Sequence, residues 1–167
     1  MDNEQKLIAS DGGIFENFGS SVAISGSTIV VGAPRDNIGS NSLQGSAYVF
    51  NRQGGSWVEM QKLTASDGAA FDSFGFSVAV SGSTIVVGAT FDNIGGNLLQ
   101  GSAYVFNRQG GSWVETQKLT ASDGAANNLF GNSVAVSGAT IVVSAPRANI
   151  AYVYNRHGGA VGSRPRS

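Results

Sequence analysis

The sequence predicts an all-β, propeller-type fold of about three four-stranded antiparallel blades, a partial propeller or half of a closed ring. Three observations predict it. The tripeptide QKL begins at Gln5, Gln61 and Gln117, a period of 56 residues, and 44 of the 56 positions are identical between residues 5–60 and 61–116. Within a period every apolar run is short, and none shows helical spacing. The chain holds 24 glycines in 167 residues and only 13% charged ones, which suits short strands joined by tight turns and not a charged helical surface. Four strands per period of about fifty residues describe a propeller blade, whereas a β-helix coil is about half as long and other solenoids need helices.

The first period shows the elements in order. SVAIS meets TIVVGA across Ser25, Gly26 and Ser27, a tight hairpin turn. Ile29, Val30 and Val31 make TIVVGA apolar on both faces, as a strand sandwiched between neighbouring sheets must be. A longer loop from Pro34 to Gly45 leads to SAYVFNR, and Gln53, Gly54 and Gly55 turn that strand into SWVEMQKL. Glu59, Gln61 and Lys62 mix polarity into this last strand, so it is the outer, wetter one. A second longer loop, Asp11 to Asn17, precedes the first hairpin. The third period departs twice: eight residues are missing between Pro146 and Tyr152, and after Gly159 the chain reads AVGSRPRS with no counterpart of SWVEMQKL. The expected repeats are therefore 5–60, 61–116 and 117–159, the first strand of each belonging to the preceding blade, with 160–167 a disordered tail.

Composition sets the outer bounds on function. At 167 residues and 41% hydrophobic, the chain is one domain long and able to bury a core. A net charge of −1 supplies no global positive field for nucleic acid or an anionic membrane surface. There is no cysteine, which excludes disulfides and thiolate chemistry. No run approaches the roughly 18 apolar residues of a membrane span, and MDNEQKLIASDGG resembles no export signal, so no membrane insertion is expected.

Each repeat pairs Phe-Gly with a following Gly-Ala-Pro or a near variant: Phe18-Gly19 with Gly32-Ala33-Pro34, Phe74-Gly75 with Gly88-Ala89-Thr90, and Phe130-Gly131 with Ser144-Ala145-Pro146. This resembles the FG-GAP repeat family, the blade of integrin α-subunit propellers and of many secreted bacterial proteins. The resemblance runs from about Gln5 to Asn155 and implies an extracellular or cell-surface binding or adhesion module. Many blades of that family hold calcium in an Asp-x-Asp-x-Asp-Gly loop between the two halves of the motif. Here Ser25-Gly26-Ser27, Ser81-Gly82-Ser83 and Ser137-Gly138-Ala139 occupy that place without a carboxylate, so no calcium or other cofactor is expected. The nearest weak metal candidates are Asp36 and Asn37, recurring as Asp92 and Asn93, with Asn41 and Asn97 beside them. Asx residues next to glycine form turns far more often than they bind ions, and Asp11, Asp67 and Asp123 of the SDG triplets read as turn residues too.

Catalysis finds little support, and no enzyme is expected. His157 lies in the unrepeated tail, no serine sits in a nucleophile elbow, and no glycine-rich loop opens a helix. Asp11 with Glu16, or Asp67 with Asp72, could pair in a loop, but the third counterpart is Asp123 with Asn128. Arg156, Arg164 and Arg166 read as a solvated basic cluster. The expected function is a non-catalytic scaffold whose loops contact a protein or glycan ligand. One alternative is a lectin using Tyr48, Trp57, Tyr104, Trp113 and Tyr152; another is an accessory propeller of a larger secreted enzyme. Three blades leave two bare faces, which either a homodimer would cover by closing a six-bladed ring, each N-terminal strand completing the other chain's third blade, or further blades would cover in a longer propeller array of which this sequence is a part.

Overall fold

The computed structural model describes residues 3–157 and 160–163. They form three four-stranded antiparallel sheets, each a simple meander. Blade 1 comprises β1 (Ser21–Ser25), β2 (Thr28–Ala33), β3 (Ser46–Gln53) and β4 (Ser56–Leu63). Blade 2 comprises β5 (Phe74–Ser81), β6 (Thr84–Ala89), β7 (Ser102–Gln109) and β8 (Ser112–Leu119). Blade 3 comprises β9 (Val134–Ser137), β10 (Thr140–Ala145), β11 (Ile150–His157) and β12 (Ala160–Ser163). This is the three-blade partial propeller that the repeat predicts.

Both hairpin turns fall where the turn residues place them. Ser25 pairs with Thr28 and Gln53 with Ser56, each across two residues. Between Val49 and Phe50 the register of β3 on β4 shifts, and the shift recurs between Val105 and Phe106. Strand β6 is buried along its whole length, whereas β4 alternates exposed and half-buried residues, as its polar content requires.

Burial comes from stacking blade on blade, because no single sheet can cover its own faces. Val30, Val49 and Leu63 of blade 1 pack on Phe74, Val78, Val80 and Ile85 of blade 2. Val86, Val105 and Leu119 pack in turn on Phe130, Ile141 and Val143 of blade 3. On the opposite side of blade 1, Val31, Ala33, Tyr48 and Phe50 lie under Leu7, Ala9 and Phe18.

Two expectations about the ends need correction. Blade 3 does have a fourth strand: Ala160–Ser163, expected within a disordered tail, pairs with Tyr154–His157 as β12. The backbone pairing asks only for length and a turn, and Gly158-Gly159 stands where Gly54-Gly55 closes the hairpin of blade 1, so the lost resemblance to SWVEMQKL hid the strand. Residues 164–167 lie outside the described residues. Gln5 to Ser10, expected as an outer strand, carry no strand pairing among the described residues. They nevertheless lie on blade 1, where the Gln5 side chain exchanges two hydrogen bonds of 2.8 Å with the backbone of Trp57. Gln61 holds Trp113 in the same way at the next joint.

Candidate functional site

The charged side chains gather at two equivalent places, one in each complete repeat. In blade 1 the Lys62 ammonium on β4 lies 2.7 Å from Asp11 Oδ2, 2.7 Å from Asp36 Oδ2 and 5.3 Å from the centre of the Tyr48 ring. Tyr48 donates its hydroxyl to Asp11 Oδ1 at 2.7 Å, and Ser46 Oγ donates to Asp36 Oδ2 at 2.6 Å. Blade 2 repeats the arrangement with Lys118, Asp67, Asp92, Tyr104 and Ser102. Blade 3 retains Tyr152 donating to Asp123 at 2.7 Å, but Ala148 stands in the place of Asp36.

The electrostatics hold these clusters together as clamps. Lys62 and then Tyr48 hold the Asp11 carboxyl below the usual carboxylate range. Burial alone would lower the Lys62 pKa, but bonds to Asp11 and Asp36 outweigh it and the ammonium stays above its ordinary value. Burial, then the neighbouring Asp11 carboxylate, pushes Tyr48 up to about 12. Each of these three shifts moves the group's titration further from neutral pH, so the charges of the clamp persist there.

The weak metal candidates separate into two roles. The carboxylates of Asp36 and Asp92 are occupied by lysine ammonium groups, so the place a cation would take is filled by the protein's own charge. Asn37 and Asn93 accept the backbone N–H of Leu43 and Leu99 at 2.9 and 2.8 Å, the turn-forming role their neighbouring glycines indicate. Asn41 and Asn97 each donate to the glutamine three residues on, at 2.8 Å. No group of three or more His, Asp or Glu able to hold a metal ion occurs among the described residues.

The SDG aspartates are more than turn residues, since they fasten each linker onto the blade it leads into. The signal was present in the spacing: Tyr follows Asp by 37 residues in the first two repeats and by 29 in the third, shortened by the same eight-residue deletion. Asp67 accordingly faces Lys118 and Tyr104 and not Asp72, whose carboxylate accepts the Ala69 N–H at 2.7 Å. Arg156 contributes a backbone N–H to Ala139 at 2.8 Å. Arg164, Arg166 and the side chain of His157 lie outside the described residues.

The repeated motif has its own geometry, which lies across the joint between neighbouring blades. Phe74, fully buried, leads into Gly75, whose φ of 91° is open to glycine at little cost. The Gly75 carbonyl accepts the hydroxyl of Ser21 at 3.0 Å and sits where a Cβ on Gly32 would be. Gly131 meets Gly88 and Ser77 in the same way. The Phe-Gly of one repeat thus seats on the Gly-Ala of the repeat before it. A family model described as FG-GAP repeat matches residues 1–50, 57–106 and 113–161. The chain belongs to the FG-GAP repeat family. A search of curated proteins finds no significant match.

Within this FG-GAP chain most of the aromatic residues considered for sugar stacking are closed off. Tyr48, Tyr104 and Trp113 are buried, and the two tyrosine hydroxyls are committed to aspartates. Trp57 and Tyr152 are half-buried. A different aromatic group, which sequence reasoning did not single out, faces outward on blade 2. Phe76 and Phe91 meet edge to face with ring centres 5.8 Å apart. Their backbone N–H groups bond to Ser73 and Asp72, directly after Phe71, which is 62% exposed at a φ of 71°. A bulky residue in left-handed backbone is strained. The other FG-GAP repeats place Phe15, Ser20 and Arg35, or Asn127, Asn132 and Arg147, at these positions. The departure of Phe76 and Phe91 from the repeat was the signal available in the sequence.

Proposed function

We propose that this FG-GAP propeller scaffold is a non-catalytic binding or adhesion module, extracellular or on the cell surface, that engages a protein partner through Phe71, Phe76 and Phe91 and needs no cofactor. The observation that carries the reading is that Phe71 and Phe76 of blade 2 stand exposed, with Phe91 half-buried against Phe76, where both neighbouring repeats use polar residues at the places of Phe76 and Phe91. Aromatic side chains of low conformational entropy, exposed together on a rigid frame, suit recognition of a protein surface. Supporting it, the lysine–aspartate clusters are spent inside the scaffold, each ammonium already paired with two carboxylates.

The protein, immobilised, should be tested against an array of glycans and a panel of purified extracellular matrix proteins. Saturable binding to a matrix protein, unaffected by free sugars and weakened at least about tenfold by F71S/F76S at unchanged thermal stability, is the expected result. Binding to glycans alone would support the lectin reading through Trp57 and Tyr152. Binding indifferent to both substitutions would move the contact surface elsewhere.

A further inference from the structure

We propose that the face of blade 1 turned away from blade 2 is a docking surface for one further four-stranded blade of the same kind, and that blade 3 is built to refuse one. The two internal joints show what such a blade would touch. Val22 and Ile24 on β1 are 68% and 63% exposed, whereas their counterparts Val78 and Val80 on β5 are each 8% exposed beneath blade 1. The sequence is the same kind at both places, so the neighbour alone makes the difference. Phe18 is half-buried where Phe74 and Phe130 are fully buried.

Blade 1 is also shaped to receive that neighbour. At the joint between blades 1 and 2, the N–H groups of Phe71, Ser73 and Phe74 donate to three successive carbonyls, those of Ser42, Leu43 and Gln44, at 2.8, 3.2 and 2.8 Å. Phe71 and Ser73 reach them with φ of 71° and 55°. Phe15 and Asn17 hold φ of 74° and 58°, the same backbone turned toward no carbonyl row among the described residues. Gln5 already lies on Trp57 as Gln61 lies on Trp113, so Gln5 to Ala9 occupy the place of the preceding blade's outer edge. Lys6, the counterpart of Lys62 and Lys118, would find its two aspartates in that blade's loops and its tyrosine on the third strand.

Blade 3 has lost both halves of the joint on its far side. Ser144 replaces the glycine of Gly32 and Gly88, and its Cβ would overlap the carbonyl oxygen of an incoming Phe-Gly. Its hydroxyl instead accepts the N–H of Ser133, closing the seat within its own sheet at 3.0 Å. The deleted loop is the one that carries the three carbonyls; a short 3-10 turn, Pro146–Ala148, replaces it. Val153 is left 46% exposed where Val49 and Val105 are fully buried. A second copy of this chain offers only that altered face, since its other two seats are already filled. The occupant of blade 1 is therefore a blade with glycine at the Gly32 position and the full loop.

The test repairs blade 3 and reads mass in solution by light scattering. The repaired chain carries S144G and has residues 147–150 replaced by the twelve residues 35–46. The parent should have the mass of one chain at micromolar concentration, and the repaired chain should assemble head to tail into multiples of it. V22D in the repaired chain should return it to one chain mass with an unchanged far-ultraviolet spectrum. A parent that already assembles through its two end faces, or a repaired and folded chain that stays single, overturns the proposal. Should the repair prevent folding, a chain with residues 5–60 duplicated ahead of Gln5 decides. There, replacing the valine at the original position 22 by Asp should lower Tm by several degrees while leaving the parent's Tm unchanged, and an equal effect in both chains overturns the proposal.

Discussion

Asp72 is the residue whose chemistry most depends on its surroundings. Its side chain is buried and its pKa rises from 3.8 to about 6, with burial the main cause. A carboxyl whose folded pKa is raised contributes stability that is full below the unfolded value and is lost as pH rises through the folded one. The window here runs from about pH 4 to about pH 6. The third repeat shows the neutral solution, where Asn128 Oδ1 accepts the Ala125 N–H at 2.8 Å, as Asp72 Oδ2 does from Ala69. D72N should stabilise the protein by about 1 to 3 kcal/mol at pH 7 and by nothing measurable near pH 3.5, read by denaturant titration at the two values. Equal effects at both would show that the carboxyl ionises freely in the fold. None of this was legible in the sequence, where Asp72 stands in a polar loop, since burial arises from blade 1 and blade 2 closing over it.

At the scale of the elements, two glycines that look alike in sequence carry different loads. Gly26 closes the β1–β2 hairpin at a φ of 54° with no atom within 4 Å of where a Cβ would stand. Its requirement is local, and G26A should cost about 1 to 2 kcal/mol, the penalty for left-handed backbone. Gly32 sits mid-motif with ordinary backbone, but a Cβ there meets the carbonyl of Gly75 on the next blade, a main-chain atom that follows the fully buried Phe74. G32A should cost about 3 kcal/mol or more, because overpacking against fixed backbone cannot relax by rotating a side chain. Denaturant midpoints of the two variants check this, and equal losses would mean that the joint yields. The turn glycine was predictable from the strand pattern on either side. The reason for the joint glycine was not, for it lies 43 residues away on another sheet.

For the whole molecule, stability is a property of stacked sheets in which lysine and aspartate tie the linkers to the blades. Lys62 and Lys118 hold the carboxylates that a cation would need, and the hairpin turns carry none. Tm in millimolar calcium should therefore equal Tm in excess chelator, whereas a bound ion at a hundredfold over its Kd would add about 2.7 kcal/mol and several degrees. A rise of that size on adding calcium would require a site other than these clusters. The sequence by itself determined the fold class, the strands and the turns of each blade. Alternation, β-branched runs and paired glycines act over a few residues, and a 56-residue period says how often the unit recurs. Only the tertiary structure decided which aspartates bind lysine, which aromatic rings are buried and which stand in solvent, and that AVGS is a strand. Those outcomes depend on atoms brought together from repeats some fifty residues apart, and near-identical repeats such as Val22 and Val78 differ in burial only because one has a neighbouring blade and the other does not.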